Sequence, residues 1–146
     1  MDVMKKAALA SLKDGEPVWF GCDVGKQLAT DSGIIDIDSF AFEDFYSTSF
    51  AMDKAARVDY GHSQMTHAML FTGVHEQNKK TMRWKVENSW GDKKGKKGFL
   101  VMGDAWFDEY VFQIAVHKKL VDKELLKELD KSPTILAPWD PMGSLA

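Results

Sequence analysis

The sequence predicts an antiparallel α+β domain, and three observations carry that expectation. Several short apolar runs read as strands and a few amphipathic stretches as helices, without the strand–helix–strand alternation of a parallel sheet. Two of the runs, Thr66 to Val74 and Arg83 to Asn88, flank a polar connector from His75 to Lys80 and read as a hairpin. With 146 residues, 45% of them hydrophobic and 12% aromatic, the chain is one globular domain in size and large enough for a sizeable core.

From the start, Val3, Met4, Ala7, Ala8 and Leu12 recur at helical spacing with Ser11 on the same stripe. They predict a helix over 2–13 that Gly15 and Pro17 stop. Pro17 to Cys22 is a buried strand, and Asp23 to Ile37 a loop turning at Gly25 and Gly33. Asp38 or Ser39 caps a short helix whose Phe40, Phe42 and Phe45 are expected to pack rather than to bind a ligand. Ser49 caps a second one through Val58, ended by Gly61. After the hairpin come a strand at Phe99 to Met102, a helical turn at Asp104 to Tyr110 and a last strand at Val111 to His117. Asp122 to Leu129 forms a charged helix, and an irregular tail closes the chain.

Several function classes are disfavoured. The formal net charge of −3 gives no general attraction to nucleic acid or anionic lipid. Lys93, Lys94, Lys96 and Lys97 cluster around Gly95 without interleaved aromatics, which suits a solvated loop better than a nucleic-acid patch. No apolar stretch is long enough to cross a bilayer. His62, His67 and His75 lack a convergent third ligand, so no metal is expected. A single cysteine argues against a disulfide framework and suits a reducing, cytoplasmic setting.

The most informative stretch is Val86-Glu87-Asn88-Ser89-Trp90-Gly91, followed by Gly95 and Gly98. Side chains alternate along a strand, so Arg83, Lys85 and Glu87 share one face and Trp84, Val86 and Asn88 the apolar other. An amide there needs a hydrogen-bond partner. If the hairpin is symmetric about its connector, paired numbers sum to about 155 and His67 faces Asn88 directly. An imidazole oriented by an amide serves nucleophilic catalysis, because one nitrogen is tied and the other is free to face a nucleophile. The plain alternative is a satisfied buried pair in a β core.

Asn88-Ser89-Trp90-Gly91 with Gly95, Gly98 and Phe99 resembles the catalytic-asparagine segment of papain-like cysteine peptidases, in which Lys94 replaces a second Trp and Phe99 a Tyr. Pro17 to Lys26, Met65-Thr66-His67-Ala68-Met69 and Trp139-Asp140-Pro141-Met142-Gly143 are similar to the bleomycin hydrolase group of that family. The resemblance implies a β-rich lobe over 1–132, with His67 as general base, Asn88 as its orienting partner and Trp90 shielding their bond. It implies an arm over 133–146 that ends in the active-site cleft, with the Ala146 carboxylate pairing with a substrate's free amino terminus.

It further implies a cysteine aminopeptidase acting on peptides and bleomycin-like amides, without cofactor, and assembled as a homohexamer. The family's nucleophile lies in another lobe, near a helix start. Cys22 ends an apolar strand and is expected to be structural core. The chain is therefore expected to be the C-terminal part of such an enzyme, inactive alone, with Met1 an internal residue or fragment boundary. A second hypothesis is a non-catalytic binding or regulatory domain that keeps the lobe fold. Read without the resemblance, the apolar tail suits a docking arm, an oligomer contact or packing onto its own domain, and the last is the commonest.

Overall fold

A computed structural model describes residues 1–140. Its elements are α1 (Asp2–Lys13), β1 (Val18–Cys22), β2 (Leu28–Ala29), β3 (Ile34–Ile35), α2 (Phe42–Tyr46), α3 (Lys54–Asp59), β4 (His67–Gln77), β5 (Lys80–Glu87), β6 (Phe99–Gly103), α4 (Asp104–Tyr110), β7 (Val111–Ala115) and α5 (Lys123–Leu126). The strands form one seven-stranded sheet in the order β2-β3-β6-β5-β4-β1-β7. Every pairing is antiparallel except β3 with β6. The result is the β-rich α+β architecture the sequence predicts.

Period-two patterning sets the inner face. Val18 and Phe20 of β1, Met69 and Phe71 of β4, Trp84 and Val86 of β5 and Leu100 and Met102 of β6 are all buried. Ala7 and Ala8 of α1 and Trp106 and Phe107 of α4 are buried with them. Phe20 stacks on Phe71 at 3.8 Å between ring centroids, and Phe107 meets Trp84 at 5.1 Å. Each such aromatic contributes about 1.5–3 kcal/mol through burial. The one polar atom of Trp84, its indole N–H, is satisfied at 3.0 Å by Asp104 at the start of α4. Lys5 ties the same carboxylate to α1 at 2.7 Å, so two helices are locked onto the sheet around one acid.

Several local expectations need correction. The connector from His75 to Lys80 is mostly strand, and the turn is two residues, Asn78 and Lys79, with φ of 52° and 63°. Positive φ at both positions matches the right-handed twist of the flanking strands. Within 23–37, Leu28–Ala29 and Ile34–Ile35 form a short strand pair instead of an unbroken loop. The cap of α3 is Asp53, whose side chain accepts from the Ala56 N–H at 2.8 Å, rather than Ser49. For α2 the cap is Ala41, not Asp38 or Ser39, and Phe40 precedes the helix. The charged segment near 122–129 is shorter as α-helix than expected and continues as a 3-10 turn over Lys127–Asp130.

The aromatic set also departs from expectation. Phe40, Phe42 and Phe45 are 43%, 41% and 78% exposed and touch one another or Tyr46 rather than the core. In the described part of the tail, Ile135 and Trp139 are 86% and 85% exposed, so these two side chains do not pack onto the domain.

Candidate active site

His67 is the first residue of β4, and its Cα is the ladder partner of Cys22 in β1. The Thr66 N–H donates to the Cys22 carbonyl at 3.0 Å, which fixes where the strand begins. Asn88 comes immediately after β5, and its N–H donates to the Gly98 carbonyl at 3.1 Å. Both side chains are half-buried.

The expected register was off by two residues. Leu70 pairs with Glu87 and Phe71 with Val86, a sum of 157, and two bulges raise it to 158 in the middle of the hairpin. One further step would set Asn88 level with Met69, so His67 lies on its diagonal rather than opposite. An offset of two leaves both side chains on the same face, where an offset of one would have separated them.

The contact itself forms. His67 Nε2 lies 2.9 Å from Asn88 Oδ1. The same oxygen accepts the backbone N–H of Ser89 at 2.8 Å. A backbone N–H can only donate, so the atom it meets must be the amide oxygen. Nε2 must then carry the proton that it gives to Oδ1. In the neutral ring this leaves Nδ1 as the lone-pair nitrogen, the state a general base requires. The anchoring role of the Ser89 N–H had no signal in the sequence. Asn88 Nδ2 is buried and has no partner among the described residues.

Trp90 lies beside this bond, its ring 4.9 Å from that of His67 and tilted by 31°. Gly91, Gly95 and Gly98 all have positive φ. At Gly95 a side chain would strike the Phe99 carbonyl oxygen and come within 2.8 Å of Leu100 Cδ2. The segment can therefore fold back beneath Asn88 only with glycine there. Of the four lysines, Lys94 pairs with Asp31 at 2.8 Å, and Lys93, Lys96 and Lys97 face solvent.

Cys22 has no solvent exposure. Burial first, and the Asp23 carboxylate second, push its thiol far above the ordinary range. A cysteine held as the thiol is a poor nucleophile. Ala146 lies outside the described residues, as does the end of the arm that would carry its carboxylate.

A curled, mostly antiparallel sheet with an imidazole oriented by a carboxamide at one end defines a lobe of the papain-like cysteine peptidases. The profile of the Peptidase C1-like family matches residues 1–143, and the chain belongs to that family. Aminopeptidase C of Listeria monocytogenes is 54% identical over 146 residues, covering all of this chain and 33% of that protein. Bleomycin hydrolase of Homo sapiens is 47% identical over 150 residues, with 100% and 33% covered. The crystal structure of PepW from Lactobacillus rhamnosis superposes with a TM-score of 0.94 at 51% identity, covering 100% of this chain and 33% of that one. The chain thus spans about a third of the length of the curated relatives it matches.

Proposed function

We propose that this chain is the base-bearing lobe of a cysteine aminopeptidase whose nucleophile lies on a segment outside these residues. The observation that carries the reading is the Nε2–H to Oδ1 bond with the oxygen pinned by Ser89, since it makes Nδ1 the basic atom. In the complete enzyme, Nδ1 removes the proton from a cysteine thiol, giving a thiolate beside an imidazolium. The thiolate adds to the substrate carbonyl, and the tetrahedral adduct collapses as Nδ1–H protonates the departing amine. Water then gives a proton to Nδ1 and its oxygen to the thioester, releasing the acid and restoring the thiol. Throughout, Asn88 holds the ring against rotation, and Trp90 keeps water off the bond that does so.

The names of the relatives, aminopeptidase C and bleomycin hydrolase, support substrates with a free amino terminus and bleomycin-like amides. The reading assigns the arm over 133–146 to the cleft and the Ala146 carboxylate to the substrate's ammonium group. Removal of Leu145 and Ala146 then shifts products from amino-terminal trimming toward internal cleavage, and an unchanged product pattern removes the arm from the mechanism. The deciding experiment for the lobe is aminoacyl-coumarin hydrolysis by the complete protein and by its His67→Ala variant. Equal rates would overturn the reading.

A further inference from the structure

One buried polar pair outside the candidate site lies against the start of β4. Ser63 and Asp23 are 2% and 4% exposed, and the Ser63 hydroxyl donates to Asp23 Oδ2 at 2.9 Å. The Lys26 ammonium stands 3.9 Å from the same oxygen, too far for a hydrogen bond. A carboxylate buried with so little support is a poor stabilising device, because its desolvation offsets much of what its bonds return. Its place in the fold is more telling.

Asp23 directly follows Cys22, the ladder partner of His67, and Ser63 precedes His67 by four residues. With the Thr66 N–H on the Cys22 carbonyl at 3.0 Å, the side-chain bond closes the turn into β4 against the end of β1. Each end of the clamp is itself anchored. The Ser63 N–H donates to the Arg57 carbonyl in α3 at 3.0 Å, and the Asp23 N–H to the Tyr110 carbonyl at 3.0 Å.

We propose that Asp23 and Ser63 are positioning residues for His67, their buried bond holding the turn into β4 so that Nε2 meets Asn88 Oδ1. The catalytic consequence rests on the reading of His67 as base; the structural consequence does not. A half-buried imidazole at the first residue of a strand has no preceding ladder rung to hold it. The clamp does that work from the loop side.

Two measurements test this. In the long-range 1H–15N imidazole spectrum of this chain, the parent shows His67 in the Nε2–H form. Ser63→Ala moves the ring toward a mixture of tautomers, and Ser63→Thr, which keeps the hydroxyl, retains the parent signals. Ser11→Ala removes another buried hydroxyl, one bonded to the Glu16 carbonyl at 3.2 Å, and leaves the His67 signals in place. If Ser63→Ala does not fold, Ser63→Cys keeps a weaker donor of similar size and shows a partial shift. In the complete peptidase, Ser63→Ala lowers kcat by roughly 10- to 100-fold, the scale of a slightly misplaced group, with KM about unchanged. Ser63→Thr recovers most of it. Unchanged ring signals in folded Ser63→Ala or Ser63→Cys overturn the inference, whatever the activity. A shifted ring together with a complete parent protein that has no peptidase activity refutes the peptidase reading and leaves the clamp standing.

Discussion

Cys22 and His67 are partners in the β1–β4 ladder, so a sulfur and an imidazole start from the same rung on the same side of the sheet. Proximity alone would suggest a catalytic pair. Burial argues otherwise, since it holds the thiol protonated and denies it a substrate. The expected outcome is that this chain alone does not hydrolyse aminoacyl-coumarins. Its thiol should resist iodoacetamide in the native state and label only on unfolding, as followed by mass spectrometry. Native labelling at the rate of an exposed cysteine would return Cys22 to contention.

The diagonal contact between His67 and Asn88 predicts unequal roles. On the proposed reading, His67→Ala in the complete protein removes the base and should lower acylation by on the order of 10²–10⁴-fold. Asn88→Ala keeps the base but frees the ring, so its loss should be smaller and fall mainly on kcat. Pre-steady-state acylation rates give the comparison. Near-normal rates for both variants, or a larger loss for Asn88→Ala, would count against the assignment.

How much of this could be read from the chain depended on what each signal encodes. The helices at 2–13 and 104–110 were legible because spacing and stop residues act locally. The shared face of His67 and Asn88 was legible because parity along a strand survives a two-residue error in register. The register itself was not, because the bulges near Gly73 and His75 leave no mark in composition. Lys79 at φ 63° hid the turn, since that conformation is usually signalled by glycine. The exposure of Phe45 was misread because an apolar residue does not announce which face it takes. Asp23 and Ser63 carried no signal at all. Their meaning comes from a contact across 40 residues of sequence.

The glycine frame beneath Asn88 predicts a graded cost. Gly91 and Gly95 both have positive φ, at 85° and 60°, so alanine at either costs about 1–2 kcal/mol in backbone strain. At Gly91 nothing among the described residues lies within 4 Å of the new methyl group, whereas at Gly95 it meets the Phe99 backbone and Leu100. Urea midpoints should therefore fall in the order parent, Gly91→Ala, Gly95→Ala. Equal midpoints for the two variants would show that the segment gives way more easily than the packing around Phe99 implies.

Lys54 makes stability depend on pH. Its ammonium donates to the carbonyls of Asp108 at 2.8 Å and Val111 at 2.6 Å and lies 4.9 Å from the Phe112 ring. Burial is the largest influence and lowers its pKa from 10.5 to about 8, against the support of Glu109 and Asp108. Below about pH 8 both the folded and the unfolded chain hold this proton, and the cost of burying the charge is present in full. Between about pH 8 and 10 the unfolded chain binds more protons than the native one, so stability rises with pH. Above about pH 9 the Cys22 thiol works the other way, because the native state keeps a proton that the unfolded chain releases. The clean window is thus about pH 8–9. There the urea midpoint of the parent should climb, and that of Lys54→Met should not. A variant that climbs as steeply as the parent would place the titrating group elsewhere.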